Sequence, residues 1–175
     1  MRRLLLTAAA LPLLACRSTQ TAAAVDGAAQ ASMRNAANES VGDLRLTRTA
    51  TGVRVAGELF NLTPGTHGIH FHAVGRCDDA TFESAGGHFN PAERKHGLEN
   101  PDGPHAGDLP NITVPASGRV VVDVTTPRVS LDSAATTLLD ADGSAIIVHA
   151  DQDDQRTDPS GNSGARVACG VVMRG

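Results

Sequence analysis

Seven histidines occur in the 175-residue chain, and all of them lie between His67 and His149. Three fall within six residues, in "HGIHFHAVGRCD": His67, His70 and His72, with Cys77 just beyond. Along an extended strand, side chains two residues apart project from one face. His70 and His72 should therefore stand side by side, with Ile69 and Phe71 turned the other way into a core. His67 falls on that core side, where a hydrogen-bonded structural imidazole is expected. His88, His96, His105 and Asp108 follow within twenty-one residues, close enough for one folded loop to gather them. Three imidazoles and a carboxylate make an ordinary tetrahedral zinc set. His70, His72 and His149 come from apolar, strand-like runs, and imidazole-rich sets suit copper as well as zinc. A single H-x-H pair carries little weight. Six histidines and an aspartate gathered onto strand ends and one loop point to bound metal.

Such a set needs a stiff frame, and the surrounding pattern supplies one. "LRLTRT", "VRVAGELF" and "HGIHFHAV" alternate apolar and polar residues, and "GRVVVDVTT", "AIIVHA" and "RVACGVV" follow. Period-two alternation marks half-buried strands. Gly 18 and Pro 9 provide turns, and six or more short strands predict an all-β sandwich or barrel. With four Phe and neither Tyr nor Trp, the core must be built from Val, Ile, Leu and Ala. Two long segments break the alternation. Residues 74–110 are rich in Gly, Pro, Asp and His, and residues 150–165 are polar and turn-forming. Long irregular loops on a compact β frame are where function concentrates.

The chain opens with "MRRLLLTAAALPLLAC". Two arginines, an apolar run and small residues before Cys16 read as an export signal, too short to remain as a membrane span. The ending "LLAC" resembles a bacterial lipobox, in which the cysteine is acylated. A signal cut elsewhere, or an uncleaved anchor, would fit the same residues. Residues 17–40, rich in Ala, Ser, Thr, Gln and Asn, read as a flexible tether, with a weak Ala-rich helix as the alternative. The domain is then expected over residues 41–175. If Cys16 carries lipid, Cys77 and Cys169 remain as a pair that an oxidising compartment would let bond.

Formal net charge is −4, and loss of Arg2 and Arg3 with a signal leaves 13 basic against 19 acidic residues. There is no basic patch and almost no aromatic stacking surface, so nucleic-acid binding is excluded as a reading. The N-x-S/T sequences at Asn38, Asn61 and Asn111 would carry no weight if the source is bacterial.

These motifs together resemble copper–zinc superoxide dismutases, in particular the secreted bacterial branch, over residues 41–175. "HGIHFH" matches the strand with two copper ligands, "AGGHFNP" holds a bridging histidine at His88, and "KHG" and "HAGDLPN" hold the zinc ligands. "IIVHADQDD" supplies the last copper ligand, and "GNSGARVACGVV" carries an active-site arginine and a disulfide cysteine. The resemblance implies an eight-stranded antiparallel Greek-key β-barrel, an immunoglobulin-like sandwich with two long functional loops. It implies copper on His70, His72, His88 and His149. It implies zinc on His88, His96, His105 and Asp108, with one ion of each kind per subunit and His88 bridging them as an imidazolate. Asp153 matches a carboxylate that links ligand histidines of the two metals, with Asp154 as the alternative. Cys77 and Cys169 match the disulfide.

The implied reaction is dismutation of superoxide to dioxygen and hydrogen peroxide. Arg166 would hold the anion, His88 would store a proton, and Arg156 would either add to the attracting field or be a solvated loop charge. The implied setting is the cell envelope or periplasm, where the enzyme would protect against superoxide, with membrane contact only through the lipid. The 16 residues between His149 and Arg166 resemble the bacterial rather than the eukaryotic length. Dimer-forming residues differ between branches, so homodimer and monomer both stay open. Two rival readings share the residues: a metal carrier on the same fold, and a metal-free adhesive sandwich that the histidines argue against.

Overall fold

The computed structural model describes residues 28–132 and 134–175. Residues 1–16 with Cys16, and residues 17–27 of the expected tether, lie outside the described residues. The strands are β1 (Ala28–Asn35), β2 (Ser40–Thr49), β3 (Gly52–Leu59), β4 (Gly65–His67), β5 (Ile69–His72), β6 (Ile112–Val114), β7 (Val120–Thr126), β8 (Ala145–His149), β9 (Arg166–Val171) and β10 (Met173–Arg174). The only helical element among the described residues is a 3-10 turn at Glu83–Ala85.

β4 runs into β5 across Gly68, and β9 into β10 across Val172, so the chain path contains eight strands. One antiparallel sheet has the order β5-β8-β9-β1-β2-β3-β7, with β10 also on β1, and β4 pairs with β6. The β1-β2-β3 meander is local. β9 returns from the far end of the chain to lie beside β1, and β7 reaches back to β3. These long crossovers make the curled sheet an antiparallel Greek-key β-barrel.

Residues 28–40 correct the tether reading. Ala28–Asn35 is a strand in the middle of the sheet, flanked by β2 on one side and by β9 and β10 on the other. Ala29, Ala31 and Met33 are buried, alternating with Gln30, Ser32 and Arg34. Small side chains suit this place, since β9 passes so close that a methyl group at Gly170 would meet the Met33 sulfur. Alternation carried by alanine has little hydropathic contrast, which is why the segment reads as linker in the sequence.

The core is aliphatic: Leu44, Leu46, Val53, Val55, Leu59, Ile69, Phe71, Ile146 and Val148 are all buried. Strands β5 and β8 are buried on both faces. Their register pairs Ile69 with Val148 and Phe71 with Ile146 on the inner face, and His70 with Ile147 and His72 with Ala145 on the outer face. The outer face is not open to water. It is roofed by the long segments 73–111 and 150–165, above a second apolar cluster of Phe82, Ala85, Ala145, Ile147 and Cys169.

Candidate metal centre

His70 and His72 leave β5 on this roofed outer face, and His149 ends β8 beside them. His88 comes in from the loop, paired with His72 by an isolated antiparallel bridge. Each ring of the strand set has one nitrogen hydrogen-bonded and the other free. His70 Nε2 lies 2.7 Å from Asp153 Oδ2, His72 Nδ1 donates to the Gly86 carbonyl at 3.0 Å, and His149 Nδ1 donates to the Gly164 carbonyl at 3.3 Å. His70 Nδ1, His72 Nε2, His88 Nε2 and His149 Nε2 are then buried with no partner among the described residues. Buried polar atoms without a partner are rare and costly. Four of them, with one ligand atom per residue all within 4.8 Å of one another, form a set of lone pairs that fits a metal ion.

A second cluster closes around Asp108. Its Oδ1 lies 3.0 Å from His88 Nδ1, 3.0 Å from His96 Nδ1 and 3.3 Å from His105 Nδ1. Its Oδ2 accepts the backbone N–H groups of Gly97 at 2.8 Å and His105 at 2.9 Å, which fixes the carboxylate from behind. Three imidazoles and one carboxylate, converging on their ligand atoms, fit a tetrahedral ion such as zinc. His88 belongs to both clusters, with Nε2 in the first and Nδ1 in the second.

Asp153 joins the two clusters from the side. Its Oδ2 meets His70 Nε2 at 2.7 Å and its Oδ1 meets His96 Nε2 at 3.0 Å. Asn111 clamps the same residue, donating to the Asp153 carbonyl at 2.8 Å and accepting its N–H at 3.0 Å. Asp154, the neighbouring carboxylate, instead accepts from the backbone of Arg156 and Thr157 and from Asn162, building the loop turn. Gly161 packs over the Asp153–His96 contact at φ +64°, where any Cβ would collide with the carboxylate. Asn111 ends the "HAGDLPN" motif, but the sequence gives no sign of its clamping role, nor of the carbonyls of Gly86 and Gly164. Backbone acceptors have no sequence signature, and the role of the Asn111 amide depends on Asp153, forty-two residues further along the chain.

Charge is arranged differently in the two clusters. Burial drives His72 well below its ordinary pKa, and burial followed by repulsion from His70 brings His149 down to about 3. Burial also brings His88 down to about 4, against the pull of Asp108, and lowers His70 against the pull of Asp153. These imidazoles are neutral at physiological pH, with lone pairs free. For His96 burial pulls downward too, but Asp108 and Asp153 outweigh it and raise the ring to about 9. Against the cost of burial, the imidazoles hold Asp108 and Asp153 well below the usual carboxylate range. Without an ion, a proton on His96 offsets the two buried carboxylates.

Above the first cluster opens a cleft of 640 Å³, lined by the Gly86–Gly87 and Gly164–Ala165 segments, Glu83 and Arg166. Arg166 is half-buried at the start of β9. Its Nη1 donates to the Phe82 carbonyl at 2.6 Å and its Nη2 to the Gly86 carbonyl at 2.7 Å. The Gly86 carbonyl therefore holds both Arg166 and His72. Three residues further along β9, Cys169 is disulfide-bonded to Cys77, which ties the start of the loop to the same strand. Arg156 does not line the cleft. It pairs with Glu99 through Nε at 2.9 Å and Nη2 at 2.5 Å and clasps the two loops together. His67 is buried away from both clusters, with its ring nitrogens 2.8 Å from the carbonyls of His149 and Thr63.

Residues 30–172 match the family model for copper/zinc superoxide dismutase. Over 140 residues the chain is 45% identical to superoxide dismutase [Cu-Zn] 1 of Aquifex aeolicus, covering 79% of this chain and 83% of that protein. Over 137 residues it is 47% identical to superoxide dismutase [Cu-Zn] of Caulobacter vibrioides, covering 77% and 79%. A crystal structure of a superoxide dismutase-like protein from Bacillus subtilis superposes with a TM-score of 0.80 at 41% identity, covering 82% of this chain and 97% of that one. The barrel, the paired histidine clusters and these relatives agree: the chain belongs to the copper/zinc superoxide dismutase family.

Proposed function

We propose that this protein dismutates superoxide to dioxygen and hydrogen peroxide, with copper held by His70, His72, His88 and His149 and zinc by His88, His96, His105 and Asp108. The observation that carries this reading is the double role of His88: its Nε2 is one of the four unpartnered nitrogens, and its Nδ1 lies 3.0 Å from Asp108 Oδ1. Bound copper supplies the reversible one-electron change between +2 and +1 that no side chain here can make. The chain's own residues do the rest. Arg166 faces the cleft with a planar fork of donors and binds the small anion. Asp153 fixes the rings of His70 and His96 in one orientation. His88 Nε2, when it carries no other partner, holds a proton within the site for delivery to the peroxide product.

Export to the cell envelope is part of this proposal, since the Cys77–Cys169 disulfide is the kind that persists in oxidising compartments. So is a lipid on Cys16 that would keep the enzyme at a membrane. The test is one purified sample, measured for metal content and for consumption of superoxide, beside a zinc-only sample. Rapid consumption by the copper-and-zinc form alone supports the reading. A doubly loaded protein that consumes none would make the chain a metal carrier.

A further inference from the structure

We propose that Arg128 is a positioning residue for the Asp108 cluster, acting on the main chain of Asp108 and through it on the carboxylate. The inference rests on the reading of that cluster as a zinc site. Arg128 lies two residues past the end of β7, on the crossover toward β8, and is remote in sequence from both long loops. Its Nη2 donates to the Asp108 carbonyl at 2.5 Å. That is the only hydrogen bond its guanidinium makes among the described residues, and its Nε is buried without a partner.

Desolvation of this half-buried cation lowers its pKa, and Asp108 opposes the change. A cation that loses water usually recovers the cost through a bound carboxylate. Arg128 spends its hydrogen bond on a neutral carbonyl instead, and the residue it chooses is the one whose side chain completes the cluster. Asp108 is thereby gripped on both its carboxylate and its main chain, where its own N–H also donates to the His105 carbonyl at 3.3 Å. Gly97 and His105 hold its Oδ2 from the loop side, and Arg128 holds its backbone from the barrel side. The loop contacts orient the carboxylate, and Arg128 sets how far Oδ1 stands from the three imidazoles. Leu109, fully buried next door, anchors the segment by packing, so the fold does not hang on Arg128.

Outer partners of metal ligands typically change metal affinity about 10- to 100-fold. The test compares wild type with Arg128→Met, Arg128→Lys and Arg128→Gln, measuring zinc affinity by competition with a chelating dye. It adds copper affinity, the melting temperature of the metal-free proteins, and the visible spectrum of each protein with cobalt(II) in place of zinc. Arg128→Met should weaken zinc at least about tenfold and alter the cobalt spectrum, with copper affinity and metal-free melting little changed. Lys and Gln, which keep a donor, should recover most of the affinity. Zinc binding by Arg128→Met as tight as wild type overturns the proposal. So does a parallel loss of zinc, copper and metal-free stability, or failure of both donor-bearing variants to recover zinc affinity. Wild type that binds no zinc would instead refute the reading of the cluster itself.

Discussion

Proton occupancy separates the two clusters at the level of single residues. His72, His88 and His149 are neutral well below pH 7, so an ion entering the first cluster displaces few protons. His96, raised to about 9 by Asp108 and Asp153, must lose its proton before both the carboxylate and the ring can serve one ion. Apparent zinc affinity should therefore rise about tenfold per pH unit between roughly pH 7 and 9 and level off above, while copper affinity stays nearly flat. Isothermal titrations of each metal alone into metal-free protein, so that His88 binds one ion and keeps its N–H, in buffers of different ionisation enthalpy would show about one proton released for zinc and few for copper; equal release in these single-metal titrations would contradict this. In the metal-free fold the same shift makes His96 stabilising below its unfolded value of 6.5, an effect lost as pH rises through about 9. Such residues are legible in the sequence because histidine and aspartate advertise their chemistry by type. Arg128, Asn111 and the carbonyls of Gly86 and Gly164 do not, because what they do depends on contacts between segments far apart in the chain.

Strand by strand, legibility follows hydropathic contrast. β2, β3, β5 and β8 announce themselves through Val, Ile, Leu and Phe at alternate positions or in runs. β1 does not, because its inward residues Ala29 and Ala31 are small enough to fit a central strand between close neighbours. The loops are visible as breaks in the pattern, but their internal clasps, such as Glu99 with Arg156 and Asn111 with Asp153, join residues more than forty positions apart. The placement of β1 has a direct consequence. A chain beginning at residue 28 should fold and take up metal, whereas one beginning at residue 41 exposes the edges of β2 and β9 and should be aggregated or unfolded by circular dichroism. A well-folded, metal-binding chain from residue 41 would show that β1 is dispensable.

Charge governs the behaviour of the whole molecule toward its substrate. The chain is net negative, and superoxide is an anion, so attraction must be local. Among the described residues that line the cleft Arg166 is the one cation, with Glu83 on the same rim, and Arg156 is paired with Glu99 elsewhere. Electrostatic guidance of this kind raises encounter rates about 10- to 1,000-fold, an effect for which this enzyme family is a standard example. Arg166→Ala should keep both metals, lose about tenfold or more in superoxide consumption, and lose part of its dependence on ionic strength. Unchanged kinetics at low salt would remove Arg166 from the substrate's path. The Greek-key frame should hold both clusters in that variant: their side chains come from β5, β8 and the single loop 73–111, and the Cys77–Cys169 bond still ties that loop to β9.

The central claim is that one imidazole, His88, serves two different ions. Crystals of the fully loaded protein, with anomalous scattering measured at the copper and zinc absorption edges, test it most directly. The account predicts a copper signal on the Nε2 side of His88 among His70, His72 and His149, and a zinc signal on its Nδ1 side beside His96, His105 and Asp108. Two ions that share no ligand, or a single ion with the other cluster empty at saturating metal, would contradict it.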